Sequence, residues 1–315
     1  MSLRFLSPRT ALAIAVVTWA SAFPMIRIAL VGYTPVELAL FRYLVASVVF
    51  AGYAVVARVR LPPLGDLARM AGLGVLGMAV YFVLLGYGQR GVSAGAASLL
   101  VSTSPVFMVG LAAAFKGERP SPGAIAAMGV SFLGAAIIAG SHGGGVGGLG
   151  THALAVLGAA LVGAFSTIFL RPYSLRYGAV TATMVSAWGA TLALVPAAPG
   201  LAGTVAAAPA AATAAVVYLG LVPAVIGYAA WSYGAARSSA ASAGVALYVV
   251  PVVTMVLSFL LLGEVPAMVS LAGGALVVAG VVGVNLGGAR LSRGAAKITM
   301  ARWTPKSSAA SDISS

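Results

Sequence analysis

The stretch LLVSTSPVFMVGLAAAFKGERP, Leu99 to Pro120, has a second copy in the same chain: ALYVVPVVTMVLSFLLLGEVP, Ala246 to Pro266. At an offset of 146 residues Pro105 meets Pro251, Gly117-Glu118 meets Gly263-Glu264, and Pro120 meets Pro266 without a gap. The register extends outward, pairing Tyr87-Gly88 with Tyr233-Gly234, Ala97 with Ala243, Gly134 with Gly280 and Leu73-Gly74 with Leu219-Gly220. Ala22-Phe23 answers Ala164-Phe165 at a slightly shorter offset. Such a chain folds as two copies of one unit.

Each unit is built for lipid. Of the 315 residues 61% are hydrophobic and 7% charged, with mean hydropathy +1.06, whereas soluble domains carry about 25% charged residues. Apolar runs near the length that crosses a bilayer lie at approximately 11–31, 36–57, 67–88, 93–115 and 122–140, then 152–171, 180–198, 210–232, 241–262 and 267–288. Five crossings is an odd number, so the second copy enters from the opposite side. The expected fold is an all-α polytopic membrane protein with ten transmembrane helices in two inverted five-helix repeats. Its divisions are a cytoplasmic N-terminus (1–10), the first repeat (11–140), a Gly-rich external linker (141–151), the second repeat (152–288) and a basic, disordered tail (289–315). Ala20-Ser21-Ala22 has the look of a signal-peptidase site, but hydrophobicity continues through Ile26 to Val31, so the first span is expected to be kept.

The net charge of +13 belongs to topology. With a cytoplasmic N-terminus, all of the 18 Lys and Arg except Arg27, Arg42 and Arg90 fall on the inner side. Both termini are therefore expected inside, in the cytoplasmic membrane. No basic-aromatic patch suits nucleic acid. The chain has no cysteine, and His142 and His152 lack metal-ligand company, so neither metal nor cofactor is expected. Paired carboxylates and Ser-His-Asp sets within the spans are missing too, which disfavours the alternative of a lipid-modifying enzyme.

Inverted repeats are the architecture of secondary transporters, where two equivalent gates alternate around a midplane site. WASAFPMIRIAL (Trp19 to Leu30), TPVELALFRYL (Thr34 to Leu44) and both copies of the Tyr-Gly, Pro and Gly-Glu pattern resemble the drug/metabolite transporter superfamily in its ten-helix EamA-type branch. That resemblance implies export of amino acids, other metabolites or drugs, with spans 1, 3, 4, 6, 8 and 9 lining a central cavity. One member type exports aromatic and other neutral amino acids. Many relatives carry Glu before the proline, where this chain has Ser104 and Val250.

On those spans the candidate substrate-binding residues are Trp19, Phe23, Tyr81, Ser98, Ser102, Phe165, Phe169, Tyr228, Trp231 and Tyr248. Ser98 and Ser102 share one face of span 4, a face that suits helix packing or ligand contact alike. Pro105 and Pro251, the candidate gating kinks, each deprive a carbonyl one turn earlier of its donor; Ser102, Thr103 and Ser104 stand close enough to replace it. A small-residue seam is expected between span 10 (Ala275, Ala279, Gly283, Gly287) and span 5 (Gly123, Ala127, Ser131, Ala135). The acidic residues Glu37, Asp66, Glu118, Glu264 and Asp312 all avoid span centres. Arg27 and Arg42 are expected to reach water or Glu37, with substrate-carboxylate binding as the competing reading. Without a central acid, transport is expected to run by facilitated diffusion or exchange, through a largely uncharged cavity. The expected partners are lipid and a small-molecule substrate, either a neutral or aromatic amino acid or, alternatively, a hydrophobic drug or amphiphile; monomer and homodimer both fit.

Overall fold

The computed structural model describes residues 6–118, 120–141, 150–238 and 240–301, and the side chains of these except at 240–244 and 285–301. Among the described residues nine helices long and apolar enough to cross a bilayer, and a tenth that is apolar over Met268–Val284, follow one another: α1 (Pro8–Ala29), α2 (Pro35–Val56), α3 (Leu64–Gly88), α4 (Ala94–Lys116), α5 (Pro122–Ser141), α6 (Thr151–Tyr177), α7 (Ala179–Ala197), α8 (Ala210–Ala236), α9 (Ala240–Leu262) and α10 (Met268–Ala301). No strand occurs among the described residues. Backbone polar groups in hydrocarbon must be satisfied within the segment, which the helix alone achieves in an open bundle. The backbone of α10 is helical through Ala301, past residue 289 where the sequence places the tail; His142, most of the linker and residues 302–315 lie outside the described residues.

Local chemistry sets the helix ends. Ser7 accepts from the Thr10 N–H ahead of Pro8, Ser93 accepts from Ala96, and Thr34 with Glu37 forms a reciprocal capping box ahead of Pro35. The two Gly-Glu motifs close equivalent helices. Gly117 (φ 67°) ends α4 and Gly263 (φ 66°) ends α9, both left-handed, where a side chain would be strained.

The halves interlock. Gly74 on α3 lies so close to α7 that a Cβ would meet the Ser186 carbonyl at 2.1 Å, and Gly220 on α8 lies against α2, where a Cβ would meet the Arg42 carbonyl at 2.7 Å. These glycines are repeat partners, and α3–α7 and α8–α2 are the same crossing seen from each half. The most extensive pairing is α5 with α10, the fifth helix of each repeat. Its seam keeps the expected Ala127, Ser131 and Gly283, with Ala135 buried, and departs from the expected one elsewhere. Gly134, Ser131 and Ala127 face Gly273, Gly280 and Gly283, while Gly123, Ala275 and Ala279 are exposed. Spacing by fours drifts around a straight helix, and the buried face of α10 (Gly273, Val277, Gly280, Val284) holds its direction by mixing steps of four and three.

Span 4 is interrupted where its proline falls. Helical turns stop at Val101 and restart at Ser104, with Pro105 in the first turn of the new segment. Pro105 leaves the Val101 carbonyl without its i+4 donor, and the Ser104 hydroxyl donates to that carbonyl at 2.7 Å. Pro251 instead lies within the continuous α9.

Two irregularities were not visible in the sequence. Val75–Val80 in α3 and Val222–Gly227 in α8 are π-helical, one residue apart in repeat register. Wide turns of this kind release carbonyls and occur often at functional sites. The other half supplies donors: Ser166 of α6 donates to the Leu73 carbonyl at 2.9 Å, and the Trp19 indole of α1 donates to the Pro223 carbonyl at 3.3 Å.

Candidate substrate site

Each π segment ends at a tyrosine, Tyr81 on α3 and Tyr228 on α8, and around them a polar-aromatic cluster forms inside the bundle. The Trp19 ring meets Tyr228 at 5.3 Å and Trp231 at 5.2 Å between centroids. Gly227 makes room for this: a Cβ there would meet the Trp19 Nε1 at 2.9 Å and the Thr18 hydroxyl at 2.7 Å. From α2 and α3 come Tyr43 and Phe82, edge to face at 5.8 Å, with Tyr81 against Phe82 at 4.7 Å. Trp19, Tyr81, Tyr228 and Trp231 are half-buried, whereas Tyr43 and Phe82 are buried.

Beside Phe82 and Tyr43 lies Arg42, 1% exposed. Its guanidinium carbon lies 3.7 Å from the centroid of the Phe82 ring and 5.6 Å from that of Tyr43, within electrostatic range of Tyr81 and Tyr228. Nε and Nη1 have no hydrogen-bond partner. The expectation that Arg42 reaches water or Glu37 is therefore overturned. Glu37 is held at the start of α2 by Thr34 and by the Thr204 hydroxyl at 2.7 Å. Helix geometry explains the miss: Arg42 lies five residues beyond Glu37, about 140° around the helix, and its long side chain follows α2 into the bundle, where α8 closes over its backbone at Gly220.

Arg27 likewise does not meet Glu37. It pairs with Glu264 at 3.2 Å and donates to the Gln89 carbonyl, while Glu264 also accepts from the Ala94 N–H at 2.9 Å. This knot ties α1, α3, α4 and the end of α9 at one end of the bundle. An open groove runs beside it, lined by Ile28, Val31, Gln89 and Arg90. At the opposite end Asp66 holds Arg176 at 3.2 Å, Arg69 at 3.5 Å and the Tyr177 hydroxyl at 2.5 Å.

The remaining candidates make other contacts. Phe165 and Phe169 meet at 4.4 Å with tilted rings, and both meet exposed Phe115 of α4. Phe23 is packed in the core. Ser98 is buried with its hydroxyl donating to the Gly95 carbonyl, and Ser102 donates to the Ser98 carbonyl. Tyr248 is half-buried against the core on α9.

Ten helices in two inverted repeats around a buried polar-aromatic cluster define a polytopic transporter. Residues 9–140 and 151–286 each match the EamA-like transporter family, and the chain belongs to that family. A relative from Streptantibioticus cattleyicolor, described as a "Probable terminal-alkyne amino-acid exporter", is 46% identical over 275 residues, 87% of this chain and 92% of its own length. A Bacillus subtilis protein, "Uncharacterized transporter YdfC", is 39% identical over 84% of this chain and 86% of its own. One crystal structure, 19% identical, superposes with TM-score 0.57 over 90% of this chain and 98% of its own, a likeness of fold alone. The chain is a multi-pass membrane transporter, not an enzyme.

Proposed function

We propose that this transporter exports neutral amino acids, aromatic ones among them, across the cytoplasmic membrane by alternating access, with both termini inside. The observation that carries the substrate class is Arg42, a buried cation with two free donor atoms beneath aromatic rings. A carboxylate offers a guanidinium paired oxygens; the faces of Trp19, Tyr81, Tyr228 and Trp231 suit an ammonium group and an apolar or ring side chain. The amino-acid exporter named among the relatives supports the same class. Arg42 is sealed from solvent in this conformation, so a carboxylate reaches it when the half-buried rings move aside. Pro105, Pro251 and the paired π segments are the bends that we assign to that motion. Among the described residues no acidic group lies in the cluster, which favours transport down the substrate gradient without proton coupling. Proteoliposomes test the reading directly: L-phenylalanine should be carried and phenethylamine, which lacks the carboxylate, should not. Equal flux of the two would favour the hydrophobic-amphiphile alternative.

A further inference from the structure

The four acidic side chains among the described residues are all placed away from Arg42. Glu37 caps α2 and holds Thr204; Asp66 is shared by Arg69, Arg176 and Tyr177; Glu264 binds Arg27 and the start of α4; Glu118 is exposed at the end of α4. The neighbours of Arg42 are phenols and a phenyl ring, which soften its charge without neutralising it. A cation at this depth is costly unless an anion accompanies it.

We infer that the cargo's own carboxylate is the counter-ion of Arg42, and that the protein therefore works chiefly as an exchanger, swapping one carboxylate-bearing molecule for another across the membrane. The inference rests on the carboxylate reading of Arg42 given above. Every passage between inward and outward forms must go through a state in which Arg42 is closed off from water on both sides. With cargo bound, the guanidinium enters that state paired with a carboxylate, and the cargo's ammonium lies against the ring faces; without cargo, the guanidinium enters unpaired. Reorientation of the loaded carrier is accordingly fast and return of the empty carrier slow. Net efflux is limited by the return step, and cargo on the far side removes the limit. A decarboxylated amine cannot serve, because it brings a second positive charge to the same place.

The experiment uses the full-length protein in proteoliposomes loaded with radiolabelled L-phenylalanine and diluted into buffer with or without saturating unlabelled L-phenylalanine. Efflux should be faster with external L-phenylalanine by about tenfold or more, equivalent to about 1.4 kcal/mol in the barrier. External phenethylamine should give no acceleration. In Arg42→Gln the residual efflux, slowed by lost binding, should show a ratio near one between the two buffers. Binding is measured separately, by quenching of tryptophan fluorescence with L-phenylalanine and with phenethylamine on purified protein. Selective binding of L-phenylalanine with equal efflux into both buffers would overturn the exchange mechanism while leaving the carboxylate site standing. Binding that does not distinguish acid from amine would remove the site itself, and exchange with it.

Discussion

Replacing Arg42 with Met should stabilise the protein while abolishing its transport, an inversion that follows from the burial of the guanidinium. A charged arginine at the centre of a membrane helix costs about 2.5–3.5 kcal/mol on insertion scales. Stacking on Phe82 at 3.7 Å returns up to about 2 kcal/mol of that, the value for a desolvated cation over a ring. Met fills much of the same volume with a flexible apolar side chain, so Arg42→Met should gain about 1 kcal/mol. In differential scanning fluorimetry in detergent that is a rise of about 2 °C, near the low end of the range for domains of 150–250 residues. L-phenylalanine should raise the melting temperature of the wild type and leave the variant unmoved. A variant destabilised by about 2 kcal/mol or more without ligand would show that Arg42 is a structural tie, and the substrate argument built on it would fail.

Other expectations follow from the packing. Gly134→Leu on α5 should cost about 1–3 kcal/mol or more by overpacking, since a Cβ there would meet the Gly273 carbonyl at 2.4 Å and the Val277 nitrogen at 2.7 Å; Ala279→Leu, on the exposed side of the partner helix α10, should be nearly neutral, and thermal unfolding separates them. Gly227→Val should displace the Trp19 indole and abolish L-phenylalanine binding, with the protein still monodisperse on gel filtration. Ser104→Ala strips the Val101 carbonyl of its donor and should lower stability by about 1 kcal/mol. Fusion reporters should place both termini in the cytoplasm; an external N-terminus would contradict the distribution of Lys and Arg.

The span count and the inversion were legible in the sequence because they depend on long, redundant signals: apolar length, and a repeat held in register by Pro and Gly-Glu. The break at Pro105 and its repair by a neighbouring hydroxyl were legible too, since both lie within one turn. What escaped depended on tertiary contact. The direction of Arg42 is decided by rings from α3 and α8, and nothing in TPVELALFRYL says whether Glu37 or Phe82 will face it. The α10 side of the α5–α10 seam was placed on a strict step of four, and the helix turned Ala275 and Ala279 out of it. The π segments have no composition of their own; only Pro223, which cannot donate, hints at the one in α8.

We read the contrast between the two proline helices as the mark of one state of the transport cycle. Pro105 stands at a break and Pro251 within an unbroken helix, although the halves are copies of one design. In an inverted pair, facing inward and facing outward differ by an exchange of shapes between the copies. The opposite form should then carry the fracture in α9 and a mended α4. Spin labels bracketing Val101 to Phe107 and Leu247 to Thr254 would see one distance shorten as the other lengthens, each reading the other's position with the sign reversed.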